Sequence, residues 1–269
     1  YGGQGSRVDY EPAPMGMLYA AQPNLYRPEV PGSTPEEITV NAAKSIEDLI
    51  IYHGEDTVAA FIGEAFSADT PFDACAVPGP EYWPMVREIC DKYGVLMIVD
   101  EVITGFGRLG ASFACERFDL IPDIVTCAKG LTNATVPMGG VIVRKHIYDT
   151  LINNSEEPIE LFHGYTYSGH PLACAAALAT LELYHTEGLF ERAAELESYW
   201  EEGVHSLSEA PHVIDVRNMG SVAGIELEPR PDAPTARAFE MFLKCYDDGV
   251  LIRTTADTIA LSPPLIIEH

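Results

Sequence analysis

Two residues in this sequence stand where an acid and an amine could meet. Asp100 closes the apolar run 95–99, and Lys129 follows the strand-like run 122–128. A carboxylate at the end of an apolar strand is costly to bury unless a cation or hydrogen bonds stabilise it. Ligands gather at the carboxyl ends of strands in open α/β sheets, so Asp100 is placed to meet a protonated ring nitrogen. Capping a helix and binding a metal are plainer uses that the residue alone leaves open. A lone lysine emerging from an apolar strand can be favoured by desolvation in its neutral form, which suits Schiff-base chemistry. A lysine reaching out from the surface is the alternative. The pair says more than either member: 29 residues separate them, and both sit at strand ends. On parallel neighbouring strands they would face one pocket. A third segment, 162–171, offers hydroxyls and backbone N–H groups suited to an anion such as phosphate. An ordinary helix start explains it equally well.

The elements that must position these residues alternate along the chain. Thr34-Pro35-Glu36-Glu37 predicts a helix, with Thr34 as N-cap, Pro35 at the first helical position and Glu37 closing a capping box. Gly54 ends it. A short strand is expected over 58–62, and a helix between Pro80 and Gly94 carries apolar residues at three- and four-residue spacing. The apolar run 95–99 follows at once, which predicts a parallel sheet covered on both sides. The runs 124–127 and 140–143 repeat the pattern. A long Ala- and Leu-rich helix spans 170–188, then a charged helix runs through Glu202. Strands near 213–216 and 222–227, a helix over 235–248 and a strand over 249–253 complete the reading. Residues 1–32 read as irregular loop. The class is α/β, with a boundary near Gly188 that divides a large domain (1–188) from a smaller one (189–269).

Composition narrows the partners. The 41 acidic residues outnumber 16 basic ones, for a net charge of −25, which repels nucleic acid and anionic membrane surfaces. Ordinary solubility and adaptation to high salt both account for such a surface. The six cysteines show no C-x-x-C pair and sit mostly in apolar runs, as expected of buried free thiols in a reducing cytoplasm. No apolar stretch reaches the roughly 18 residues of a membrane span. The chain opens without Met and closes on Pro263-Pro264-Leu265-Ile266-Ile267-Glu268-His269, so it is expected to continue beyond both ends.

At this point the motifs converge. Asp100-Glu101-Val102-Ile103-Thr104-Gly105-Phe106-Gly107-Arg108 resembles the signature of the class III aminotransferases. It is followed in order by Pro122-Asp123, Ala128-Lys129-Gly130-Leu131, Pro137-Met138-Gly139 and Thr166-Tyr167-Ser168-Gly169-His170-Pro171. Tyr82-Trp83-Pro84, Asn133 and Val213-Ile214-Asp215-Val216-Arg217-Asn218 are similar to the omega-amino acid:pyruvate and amine:pyruvate members.

The resemblance implies pyridoxal-phosphate fold type I, with a large domain whose mostly parallel sheet is covered by helices and a smaller α/β domain. It implies pyridoxal 5'-phosphate held as a Schiff base by Lys129, which then shuttles the substrate proton. Asp100 would pair with the ring nitrogen and Val102 would pack on the ring face. Thr166 would bind the phosphate of a partner subunit's cofactor, which makes a homodimer or higher homo-oligomer necessary. Glu64 resembles the family acid on the substrate side, although Ala65-Phe66-Ser67 follows it where the family has Pro and Gly-rich residues. Arg253 matches the mobile arginine that binds a substrate carboxylate, a task its planar fork suits. The phosphate-binding Gly/Ser-rich loop and the aromatic residue that stacks on the ring would lie upstream of residue 1. The implied reaction moves an amino group from an amine or omega-amino acid to a keto acid, pyruvate, with no metal, nucleic acid or membrane involved. An aminomutase or decarboxylase of the same fold is a rival, as is a truncated, non-catalytic subunit. The blocks 106–110 and 166–171 are more similar to the aminotransferases.

Overall fold

The computed structural model describes residues 14–67 and 75–268. Residues 14–32 form no helix or strand, as expected; residues 1–13 of that loop lie outside the described residues. The Thr34 hydroxyl caps α1 (Pro35–His53) by accepting the Glu37 N–H at 3.2 Å. The Glu37 carboxylate returns to Ser33 N–H at 2.7 Å, one residue earlier than in a standard capping box. Gly54, at φ 101°, stops the helix.

β1 (Ala60–Glu64) starts and ends two residues later than its sequence predicts, which makes Glu64 its last residue. α2 (Tyr82–Tyr93) ends on left-handed Gly94 and feeds β2 (Leu96–Asp100). After the short α3 (Ala114–Arg117) come β3 (Ile124–Cys127), β4 (Gly140–Val143) and α4 (Lys145–Asn154). The four strands form one sheet in sequence order, with β1, β2 and β3 parallel and β4 antiparallel to β3. With one antiparallel strand of four, the sheet is mostly parallel, as the resemblance implies.

Met97 and Val99 are buried on one face of this sheet, against Ile46 and Ile50 of α1 and Val86 and Ile89 of α2. On the opposite face Ile62 and Val141 are exposed. Among the described residues the helices therefore cover one face, where cover on both was expected. Four of the six free cysteines are buried. Burial pushes the Cys75 thiol up to about 12 and Cys90 to about 11, so these thiols stay protonated and act as small apolar side chains.

α5 (Pro171–Thr186) and α6 (Leu189–His205) flank Gly188, which sits at φ 60°. β5 (Val213–Met219), β6 (Val222–Leu227), β7 (Arg253–Thr255) and β8 (Thr258–Leu261) make a second, antiparallel sheet in the order β5-β6-β8-β7. Val204 of α6 and Ala238 of α7 (Ala236–Asp247) pack with Ala223, Ile225, Leu227 and Ile259 as its core. The strand expected over 249–253 is not formed. Residues 249–252 link α7 to the sheet, and Arg253 opens β7 instead of ending a strand. Among the described residues, no helix is long and apolar enough to cross a membrane.

Asp123 ties β2, β3 and α2 together from the edge remote from the strand ends that carry Asp100. Its buried carboxylate accepts from Met97 N–H at 2.8 Å and from Arg87 at 2.9 Å. Burial alone would raise this carboxyl, but the Met97 N–H and the Arg87 guanidinium outweigh it and hold it below the usual range. A depressed folded value stabilises the fold above the unfolded carboxyl's range and is lost as pH falls through the folded value. Removing this charge leaves the largely buried Arg87 with the exposed Asp91 at 2.7 Å and takes the carboxylate from Arg144 as well. Asp123→Asn should therefore lose on the order of 3 kcal/mol at pH 7. Urea midpoints measured against pH should show the gap to the wild type closing only below about pH 4. A gap that stays constant down to pH 2 would show that the ionised carboxylate is not what matters.

Candidate active site

Three parallel strands deliver one row of side chains. Glu64, Asp100 and Thr126 are direct partners across β1, β2 and β3, so all three emerge from the same face of the sheet. Just beyond the strand ends lies a cavity lined by Glu64, Phe66, Asp100, Val102, Thr104 and Lys129. Four of the expected residues thus converge on one place, and they do so because the strands run the same way.

Asp100 folds back on its own turn: Oδ1 accepts the Val102 N–H at 2.9 Å. The next residue points the other way, as strand alternation requires. Glu101 is fully buried and accepts the Ala114 N–H at 3.0 Å, the Cys115 N–H at 2.8 Å and the Thr104 hydroxyl. Its own N–H donates to Thr126 O at 2.8 Å. A buried carboxylate with three donors is a strong anchor. It fixes the loop that carries Val102 and Thr104 into the cavity wall.

Lys129 begins the single turn Lys129–Leu131 at φ 45°, a left-handed conformation that non-glycine residues adopt at a cost. Neighbours hold the turn in place. Tyr184 of α5 donates to Gly130 O at 2.7 Å, and a Cβ at Gly130 would come within 2.7 Å of Phe106 Cβ. Phe106 in turn stacks on Tyr184, with ring centroids 6.1 Å apart. The Lys129 side chain is exposed, so the described residues do not desolvate it as the apolar run before it led us to expect.

Two expected residues lie elsewhere. Thr166 is exposed in the turn before α5, and Arg253 is exposed at the start of β7 on the second sheet; neither lines the cavity. Sequence reasoning missed Phe66, Thr104, Glu101, Thr126 and Tyr184. Only Glu101 left a signal, as an acid directly after a strand-end acid, where period two sends it into the core.

An amine and two carboxylates around one concavity can carry out carbonyl–amine condensation and proton transfer. The aminotransferase class-III family matches residues 7–269. The chain belongs to the class III aminotransferases. An omega-aminotransferase of Caulobacter vibrioides is 54% identical over 243 residues, which is 89% of this chain and 55% of that protein. A beta-alanine–pyruvate aminotransferase of Pseudomonas aeruginosa is 42% identical over 83% of this chain and 50% of its own length. The crystal structure of an omega transaminase from Pseudomonas jessenii in complex with PMP superposes with a TM-score of 0.90 at 30% identity, covering 98% of this chain and 59% of that one. The chain spans about half the length of the curated relatives it matches.

Proposed function

We propose that this class III chain serves a pyridoxal-phosphate-dependent aminotransferase, moving an amino group from an amine or omega-amino acid to pyruvate. One observation carries the reading: Asp100 and Lys129 share a cavity at the carboxyl ends of parallel strands. The residues present fit the cofactor. A carboxylate, an apolar wall and a primary amine line one concavity, and among the described residues the buried Thr126 hydroxyl in the same row has no partner. Pyridoxal phosphate supplies an aldehyde that condenses with amines and a ring that withdraws electrons.

Lys129 Nζ attaches the cofactor and moves the proton at the substrate carbon. Asp100 holds the ring nitrogen in its protonated form, and Val102 packs on the ring face. Glu64, beside Asp100 in the row, faces the substrate side. Thr166 contributes to the phosphate site of a second copy, which makes the working unit a homodimer or a larger homo-oligomer. Arg253 binds the carboxylate of pyruvate or of an omega-amino acid. The division into a cofactor domain (1–188) and a smaller domain (189–269) belongs to the same reading, supported by the separate core of the second sheet. A cytoplasmic location fits the six free thiols.

Arg253 tests the substrate. A hydrogen-bonded contact to a charged group contributes about 1.5–3 kcal/mol, so Arg253→Ala should lower kcat/KM for pyruvate by roughly 10- to 150-fold. An amine without a carboxylate should react nearly as before. The two half-reactions, followed separately by the cofactor's absorbance, display that asymmetry. Equal losses for amine and acid would make Arg253 structural, and a wild type that converts no amine with pyruvate would remove the aminotransferase reading.

A further inference from the structure

We infer that Thr126 is a positioning residue for Asp100, its hydroxyl donating to the free carboxylate oxygen when the cofactor's ring nitrogen docks; this rests on the cofactor reading given above. Asp100 and Thr126 are direct partners on parallel strands, about 4.8 Å apart and on one face. Asp100 Oδ1 takes the Val102 N–H at 2.9 Å, and among the described residues no donor reaches Oδ2. Thr126 Oγ1 is buried and has no hydrogen-bond partner among the described residues. An unused donor and an unused acceptor therefore stand side by side at the place where the cofactor's charge must be met.

Native proteins keep few buried hydroxyls unsatisfied, because each is destabilising. Threonine adopts more than one χ1 rotamer, so one rotation about Cα–Cβ turns Oγ1 toward the neighbouring carboxylate. A carboxylate oxygen has two lone pairs and can accept from Thr126 and from the ring N–H together. Glu64 strengthens the argument from the other side. It is the partner of Asp100 on β1, and like charges directly opposite repel. A donor on the far side of Asp100 offsets that repulsion.

The consequence is an opposition between stability and binding. In the cofactor-free chain Thr126→Val replaces an unsatisfied hydroxyl with an isosteric methyl, so thermal stability should stay level or rise. Pyridoxal phosphate, titrated into the same variant and followed by absorbance, should bind about tenfold more weakly. Thr126→Ser, which keeps the hydroxyl, should bind like the wild type. A cofactor-free Thr126→Val that melts lower would make the hydroxyl a structural group and overturn the proposal. Undiminished binding by Thr126→Val would overturn it too, with the cofactor reading intact. A wild type that takes up no pyridoxal phosphate would instead take down the cofactor reading, and the role of Thr126 with it.

Discussion

Lys129→Ala should abolish covalent attachment of pyridoxal phosphate and lower transamination by at least about 10⁴-fold. Acid–base catalysis by a positioned side chain contributes about 10²–10⁴-fold, and loss of the covalent anchor adds the cost of holding the cofactor without it. The fold should not notice. The Lys129 side chain is exposed, and what keeps its turn in place is the Tyr184 hydroxyl on Gly130 O and the close packing of Gly130 on Phe106. Alanine meets the same left-handed backbone cost as lysine, so melting temperatures should agree. Borohydride reduction of the wild type with its cofactor, then peptide mapping, gives the direct measurement. The label should fall on Lys129 alone. Lys92 pairs with Glu47 at 2.7 Å and Lys145 with Asp149 at 2.8 Å, and neither lines the cavity. A label on either of them, or on Lys44 or Lys244, would sink the assignment.

The sequence revealed which residues end the strands better than how the strands run. A short apolar run looks the same in either direction, so the run 140–143 marks β4 without showing that it pairs antiparallel to β3. The uninterrupted run 95–99 implied cover on both faces, whereas Ile62 and Val141 on the site's own face are exposed. Glu64 was placed just past its strand because Val58 is apolar. Pairing begins at Ala60 and ends with Glu64 opposite Asp100, and that shift brings the second carboxylate into the site. The error at 249–253 has a similar origin. Gly249-Val250-Leu251-Ile252 looks like a strand, yet Val250 and Leu251 are exposed and the ladder starts at Arg253. The hairpin into β8 escaped notice because its turn is Ala256-Asp257, with Ala256 at φ 51° and no glycine to mark it. Tyr184 was out of reach for another reason. Its partner Gly130 lies 54 residues away in the chain, and no local pattern encodes that.

Asp100 carries the other large expected effect. Its Oδ1 is committed to the Val102 N–H, an interaction Asn can keep through its amide oxygen. Asp100→Asn therefore removes the charge while leaving the turn intact, and the protein should fold as before. On the proposed reading, what it loses is the anion that keeps the ring nitrogen protonated. Removing one preorganised electrostatic stabiliser from an active site costs about 10²–10³-fold in kcat, and a similar drop is expected here. Two measurements separate this role from a merely structural one. Lys129 should still take the borohydride label in Asp100→Asn, because attachment needs the aldehyde and the amine but not the ring charge. Asp100→Ala supplied with a cofactor methylated on the ring nitrogen, whose positive charge is fixed, should recover part of the lost rate. Asp100→Ala supplied with ordinary pyridoxal phosphate should not. Equal rates with both cofactors would mean that Asp100 does not act through the ring nitrogen, and its place in the Glu64–Asp100–Thr126 row would then need another explanation.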